Sequence, residues 1–149
     1  MKLDSILVAT DFSEGAEEAL EYAADLASHF EAEVVLLHAY NVEIPMASPM
    51  MSGGYVLPDG FFEEIAKQAR LRTEEKAEAL RAKGVRVTPV ALDEPAAVAI
   101  TGEAQRRKVG MIVMGTRGLT GLKHIALGSI ADKVVRTAPC PVLTIGERI

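Results

Sequence analysis

Residues Met111 to Asp132, MIVMGTRGLTGLKHIALGSIAD, read as a strand, a glycine-bearing loop and the start of a helix. The opening MIVM is a short apolar run of the type buried on both faces of a parallel sheet. Gly115, Gly118 and Gly121 interrupt it, and Gly128-Ser129 precedes a new helical pattern. A strand that ends in glycines and feeds a helix N-terminus suits an anion. Glycines let the backbone approach closely, and the N–H groups of the first helical turn point outward with no partner of their own. The stretch therefore predicts an α/β unit with a phosphate-holding turn.

The same strand-and-helix alternation extends in both directions. Downstream, Ser129 to Thr137 reads as a helix, with Ser129 and Asp132 in capping-box spacing, and Pro141 to Ile145 (PVLTI) as a final strand. Upstream, Pro95 fits the first turn of a helix reaching Lys108. Val85 to Leu92 (VRVTPVAL) alternates, and Pro89 marks it as an edge strand. Phe61 to Lys83 reads as a long helix with Gly84 as its stop.

The N-terminal part repeats the scheme. Ser5 to Ala9 (SILVA) is a buried strand, Asp11 follows its end, and Ser13 is placed to cap a helix over Glu14 to Phe30. Ala16, Ala19, Leu20, Ala23, Ala24, Leu26 and Ala27 fall on one face of that helix. Glu33 to Ala39 (EVVLLHA) is the next buried strand. Asn41 to Gly60, with its prolines, methionines and glycines, breaks the pattern; it reads as a surface connection or, more sharply, as a lid.

Five strands thus alternate with four helices, which predicts a parallel, doubly wound α/β sheet with helices on both faces. Ligands in such sheets sit beyond the C-terminal strand ends, where the winding reverses. Asp11, the segment after His38 and the Gly115 loop all fall at such ends.

At 149 residues the chain is read as one domain spanning 1–149. A net charge of −5 with no basic run argues against nucleic acid as a partner. No apolar run approaches the length of a membrane span, and MKLDSILVATDF lacks a signal-peptide layout, so the cytoplasm is the expected compartment. Cys140 is the sole cysteine, which rules out an intrachain disulfide and a cysteine-built metal site. Nothing beside it in the sequence would lower its pKa, so a structural role is expected. His38, ending an apolar strand, is read as a hydrogen-bonded core histidine rather than a catalyst.

The glycine loop is neither a P-loop nor the dinucleotide fingerprint. Its spacing, Gly115-x2-Gly118-x9-Gly128-Ser129, resembles the nucleotide-binding signature of the universal stress protein family. The opening ILVATDFSEGAEEAL, the strand VVLLHA and the ending APCPVLTI are similar to that family's landmarks, so the resemblance covers nearly the whole chain. It implies a Rossmann-like fold of the adenine nucleotide alpha hydrolase type, ATP as ligand with or without Mg²⁺, and a homodimer built through residues 141–145.

Residue by residue, the resemblance implies that Asp11 contacts the ribose hydroxyls or the adenine side, with Ala9 and Thr10 beside it. Ala39 would offer backbone to the adenine ring. Met114 and Gly115 would lie beneath the nucleotide, and Arg117 and Gly118 would approach the phosphates. Gly128, Ser129, Ile130 and Ala131 would hold phosphate by backbone N–H and by the serine hydroxyl. Arg117, Lys123 and His124 cluster between the glycines, either as a solvated loop face or, as their clustering favours, toward an anion.

Bland roles stand beside these: Ser129 as a helix cap, and Asp11 as a turn residue. The chain also departs from the family pattern. Asp93-Glu94 precedes Pro95 where the family usually has glycine, and Gly110 stands where it usually has aspartate. An acidic pair beside the crevice would weaken polyphosphate binding by repulsion.

Asp11 is the sole credible acid at the expected site, and no second carboxylate or histidine is placed by motif to act as base. The expectation is a nucleotide-dependent binding module or switch in a stress response. A slow ATPase or nucleotidyl transferase, and a dimeric interaction protein without nucleotide, are the competing readings.

Overall fold

The computed structural model describes residues 3–42, 57–117 and 127–146. Nine elements alternate along the chain: β1 (Ser5–Ala9), α1 (Glu14–Phe30), β2 (Glu33–Tyr40), α2 (Phe61–Arg81), β3 (Val87–Asp93), α3 (Ala96–Arg107), β4 (Met111–Gly115), α4 (Ser129–Thr137) and β5 (Val142–Ile145). The strands form one sheet in the order β3-β2-β1-β4-β5, and every pairing is parallel. The expected five-stranded doubly wound α/β architecture is what forms. Most of the core of segment 41–60, residues 43–56, lies outside the described residues.

β1 is central because it is apolar on both faces: Ile6, Leu7 and Val8 are all fully buried. Its side chains divide by strand parity. Ile6 and Val8 join Val34 and Leu36 of β2 against α1 and α2. Leu7 joins Val35, Leu37 and Ile112 against α3 and α4. The chain winds outward from β1 to β3, returns through α3 to β4, and continues to β5. The reversal therefore lies between β2–β1 and β4, and places a crevice beyond their C-terminal ends.

Local chemistry sets the element ends; several strand and helix ends shift by one or two residues from the sequence expectation, and three differences have a clear cause. Ser13 caps α1 as expected, its Oγ accepting from Ala16 N at 3.3 Å. α2 ends at Arg81 rather than Lys83, and two further turn residues carry the chain to Gly84. There φ is +86°, the left-handed conformation that stops a helix. Pro95 is the residue before α3 and not inside its first turn.

Ser129 is the third difference. The residue flanking α4 is Gly128, which has no side chain with which to cap, so Ser129 is the first helical residue and the capping box does not form. Asp132 instead grips Arg136 one turn on, with both carboxylate oxygens 3.0 Å from Nε. Pro89 lies on β3, an edge strand as expected. Among the described residues, no helix is long and apolar enough to cross a membrane.

Candidate functional site

A crevice of about 300 Å³ opens at the C-terminal end of the sheet, over the α3–α4 face. Four chain segments meet there. From β1 come Ala9, Thr10 and Asp11; from β2, Leu37 and Ala39; from β4 and its exit, Met114 to Arg117; from α4, Gly128 to Ala131. Ala16, Ala96 and Ile100 complete the lining. Every residue expected from the sequence is in this lining except Gly118, which, like Lys123 and His124, lies outside the described residues.

The β1–α1 joint is built by short-range bonds. Thr10 N donates to Leu37 O at 2.8 Å, extending the β1–β2 ladder one residue past β1. Thr10 Oγ1 accepts from Phe12 N at 3.0 Å, and Asp11 Oδ1 accepts from Ser13 N at 2.9 Å. Asp11 thus is a turn residue, as the bland reading held, and still lines the crevice. Phe12 takes a φ of +62°. For a bulky residue that backbone is unfavourable by about 1–2 kcal/mol.

His38 does not face the crevice. It shares strand parity with Leu36, on the α1–α2 side, and its Nδ1 donates to Thr10 O at 2.9 Å. A carbonyl can only accept, so Nδ1 carries the proton. The histidine is hydrogen-bonded as expected, but half-buried rather than in the core.

The other wall is backbone. A Cβ on Gly115 would stand 3.0 Å from Gly15 O and 3.1 Å from Gly15 C, so β4 must end in glycine for α1 to come this close. A Cβ on Gly128 would stand 2.9 Å from Thr116 O. Gly128 N donates to that same oxygen at 2.7 Å, pinning the start of α4 against the end of β4. With no side-chain cap at Gly128, the N–H groups of Ser129, Ile130 and Ala131 have no partner within the helix. They form a positive, donor-rich patch at the α4 N-terminus.

Among the described lining residues Arg117 is the one base and Asp11 the one acid. Asp93 and Glu94 are exposed and do not line the crevice, although Ala96, two residues beyond Glu94, does. Gly110 packs where a side chain would meet Leu3 Cδ1 at 2.8 Å, and its N–H extends the β1–β4 pairing to Ser5 O. Cys140 lies outside the crevice, packed beside Ile112, Val142 and their neighbours. Burial pushes its thiol up from the ordinary value, and a hydrogen bond with the Ile112 backbone offsets part of that. A raised thiol pKa keeps it a poor nucleophile.

Sequence reasoning missed Leu37, Thr116, Ala96, Ile100 and Ala16. Strand parity with Ala39 would have found Leu37, and one helical turn relates Ile100 to Ala96. Among the described residues no three His, Cys, Asp or Glu side chains are grouped to hold a metal.

Comparison with known proteins identifies the family and the fold. The model of the universal stress protein family matches residues 2–146. A universal stress protein of Thermus aquaticus is 38% identical over 143 residues, covering 95% of this chain and 97% of its own. A solved Methanocaldococcus jannaschii protein superimposes with a TM-score of 0.80 at 25% identity, over 99% of both chains. Two further solved structures share the fold at a TM-score of 0.65. One is an Archaeoglobus fulgidus universal stress protein in complex with dAMP, 24% identical over 97% of this chain and 99% of its own. The other is a universal stress protein in complex with cAMP, 20% identical over 99% and 100%. By family model, sequence and fold together, the chain belongs to the universal stress protein family.

Proposed function

We propose that this protein binds an adenine nucleotide in the crevice, ATP foremost and with or without Mg²⁺, and acts in the cytoplasm as a dimeric nucleotide-dependent switch. The observation that carries the proposal is the α4 N-terminus. Its N–H groups without a partner in the helix, Gly128 pressed on Thr116 and Arg117 nearby make an anion cradle in a largely apolar crevice. An apolar pocket with a few convergent polar groups suits a flat base and a charged tail. The dAMP and cAMP complexes of structural neighbours support the same ligand class. Asp11, Ala39, Met114 and Gly115 would then surround the nucleoside, and Arg117, Gly118 and the Gly128–Ala131 turn the phosphates.

The test is direct. Protein purified without added nucleotide is denatured, and the released small molecules are resolved by ion exchange, followed by ATP titration. ATP at one hundred times its Kd should stabilise the fold by about 2.7 kcal/mol, roughly 5–10 °C in melting temperature. No released nucleotide, and no shift at millimolar ATP with or without Mg²⁺, would overturn the proposal.

The dimer would form through β5. Val142–Ile145 is a short uncharged strand on the sheet edge, with all four residues only half-buried. Such an edge is a ready template for another strand. Sedimentation at micromolar protein should give a dimer; a monomer there would sink the β5 interface.

A further inference from the structure

Phe12 is the one residue at the crevice rim whose backbone and side chain are both unusual. It takes left-handed φ directly between Asp11, which lines the crevice, and Ser13, which caps α1. Its ring lies on the far side of the sheet from the crevice, and two partners hold it there. The Arg72 guanidinium of α2 lies over the ring, 4.1 Å from its centroid. The His38 ring packs at 4.5 Å with an interplanar angle of 54°. His38 is itself fixed by its bond to Thr10 O and by Tyr40, 6.2 Å away and nearly parallel.

These contacts form a column from α2 through Phe12 to β2. The column closes on the same peptide run that presents Asp11. A bulky residue keeps a left-handed backbone only where its surroundings over-determine it. Here the cation–π contact and the aromatic packing supply that constraint. Asp11 spans Phe12 as well, its Oδ1 accepting from Ser13 N on the far side of that residue.

We propose that Phe12 is a positioning residue for the nucleotide, clamped by Arg72 and His38 so that the turn aims Asp11 into the crevice at the ribose. The inference rests on the nucleotide-binding reading above. It also makes α2 a part of the site, although none of its residues lines the crevice.

Phe12→Gly is the decisive variant. Glycine takes a φ near +62° without strain, so folding is retained while the ring is lost. Affinities for ATP and for 2′,3′-dideoxy-ATP are measured by calorimetry, with melting temperature recorded alongside. Wild type should prefer ATP, and Phe12→Gly should lose that preference by about tenfold, the scale of one hydrogen bond to a charged group. Phe12→Tyr retains the ring and should keep the wild-type preference. Arg72→Met, on an exposed position of α2, should lower the preference by roughly two- to fivefold, as loss of an exposed cation–π contact implies.

Wild-type preference in both Phe12→Gly and Arg72→Met would overturn the inference while leaving nucleotide binding intact. A lowered melting temperature with unchanged preference would do the same, showing the column to be structural. Absence of ATP binding by wild type would instead overturn the function itself, and this inference with it.

Discussion

Gly128→Val should leave a folded protein whose melting temperature no longer responds to ATP. The Gly128 backbone, at φ −66° and ψ 159°, is open to any residue, so conformational freedom is not the issue. Contact is. A Cβ would stand 2.9 Å from Thr116 O, a backbone atom already held by the Gly128 N–H. Relief requires the first turn of α4 to move off β4, carrying the Ser129–Ala131 donors with it.

Overpacking of this kind costs about 1–3 kcal/mol of stability. Losing two charge-assisted bonds to phosphate costs at least roughly 3 kcal/mol, about 100-fold or more in affinity. Gly128→Ala carries the same Cβ without the branch and should fall between wild type and valine. Calorimetric titration of the three proteins checks the order. Wild-type affinity in Gly128→Val would remove the α4 turn from the site.

Leu37→Ala should give the largest loss of stability among the crevice residues. Leu37 is fully buried and packs in the α3–α4 core directly beneath the crevice. Leucine-to-alanine changes in cores cost about 2–5 kcal/mol, the spread reflecting how well the site collapses. A loss of about 3 kcal/mol would lower the melting temperature by roughly 6–12 °C. Urea unfolding should show a lower midpoint with an unchanged slope. A loss below about 1 kcal/mol would mean that Leu37 is surface rather than core.

The contrast between these two positions explains what the sequence disclosed. The sheet was legible because its inner strands are uninterrupted apolar runs; SILVA and MIVM have no polar face to confuse with a surface strand. The Gly128 cradle was legible as glycine spacing, but the atom it meets was not, since Thr116 O lies on a different strand exit. Leu37 reads as one more core leucine unless strand parity is followed past Leu36 to Ala39. Ser129 was misread because serine before an apolar run is the usual cap, whereas here the glycine required by close approach occupies the capping position. Phe12 had no signal at all. Nothing in TDFSE announces a left-handed phenylalanine, because Arg72 and His38, the residues that hold it, are distant in sequence.

The peptide groups of Thr116 have a mechanical consequence. Its N–H is held by Ile145 O of β5 at 2.9 Å, and its carbonyl holds the Gly128 N–H at 2.7 Å. One residue thus acts as a rivet through three plates: the rim of the sheet, the exit of β4 and the head of α4. The outer strand and the helix head are thereby only two hydrogen bonds apart. The outermost strand is therefore not a passive border but a handle on the floor plan of the crevice.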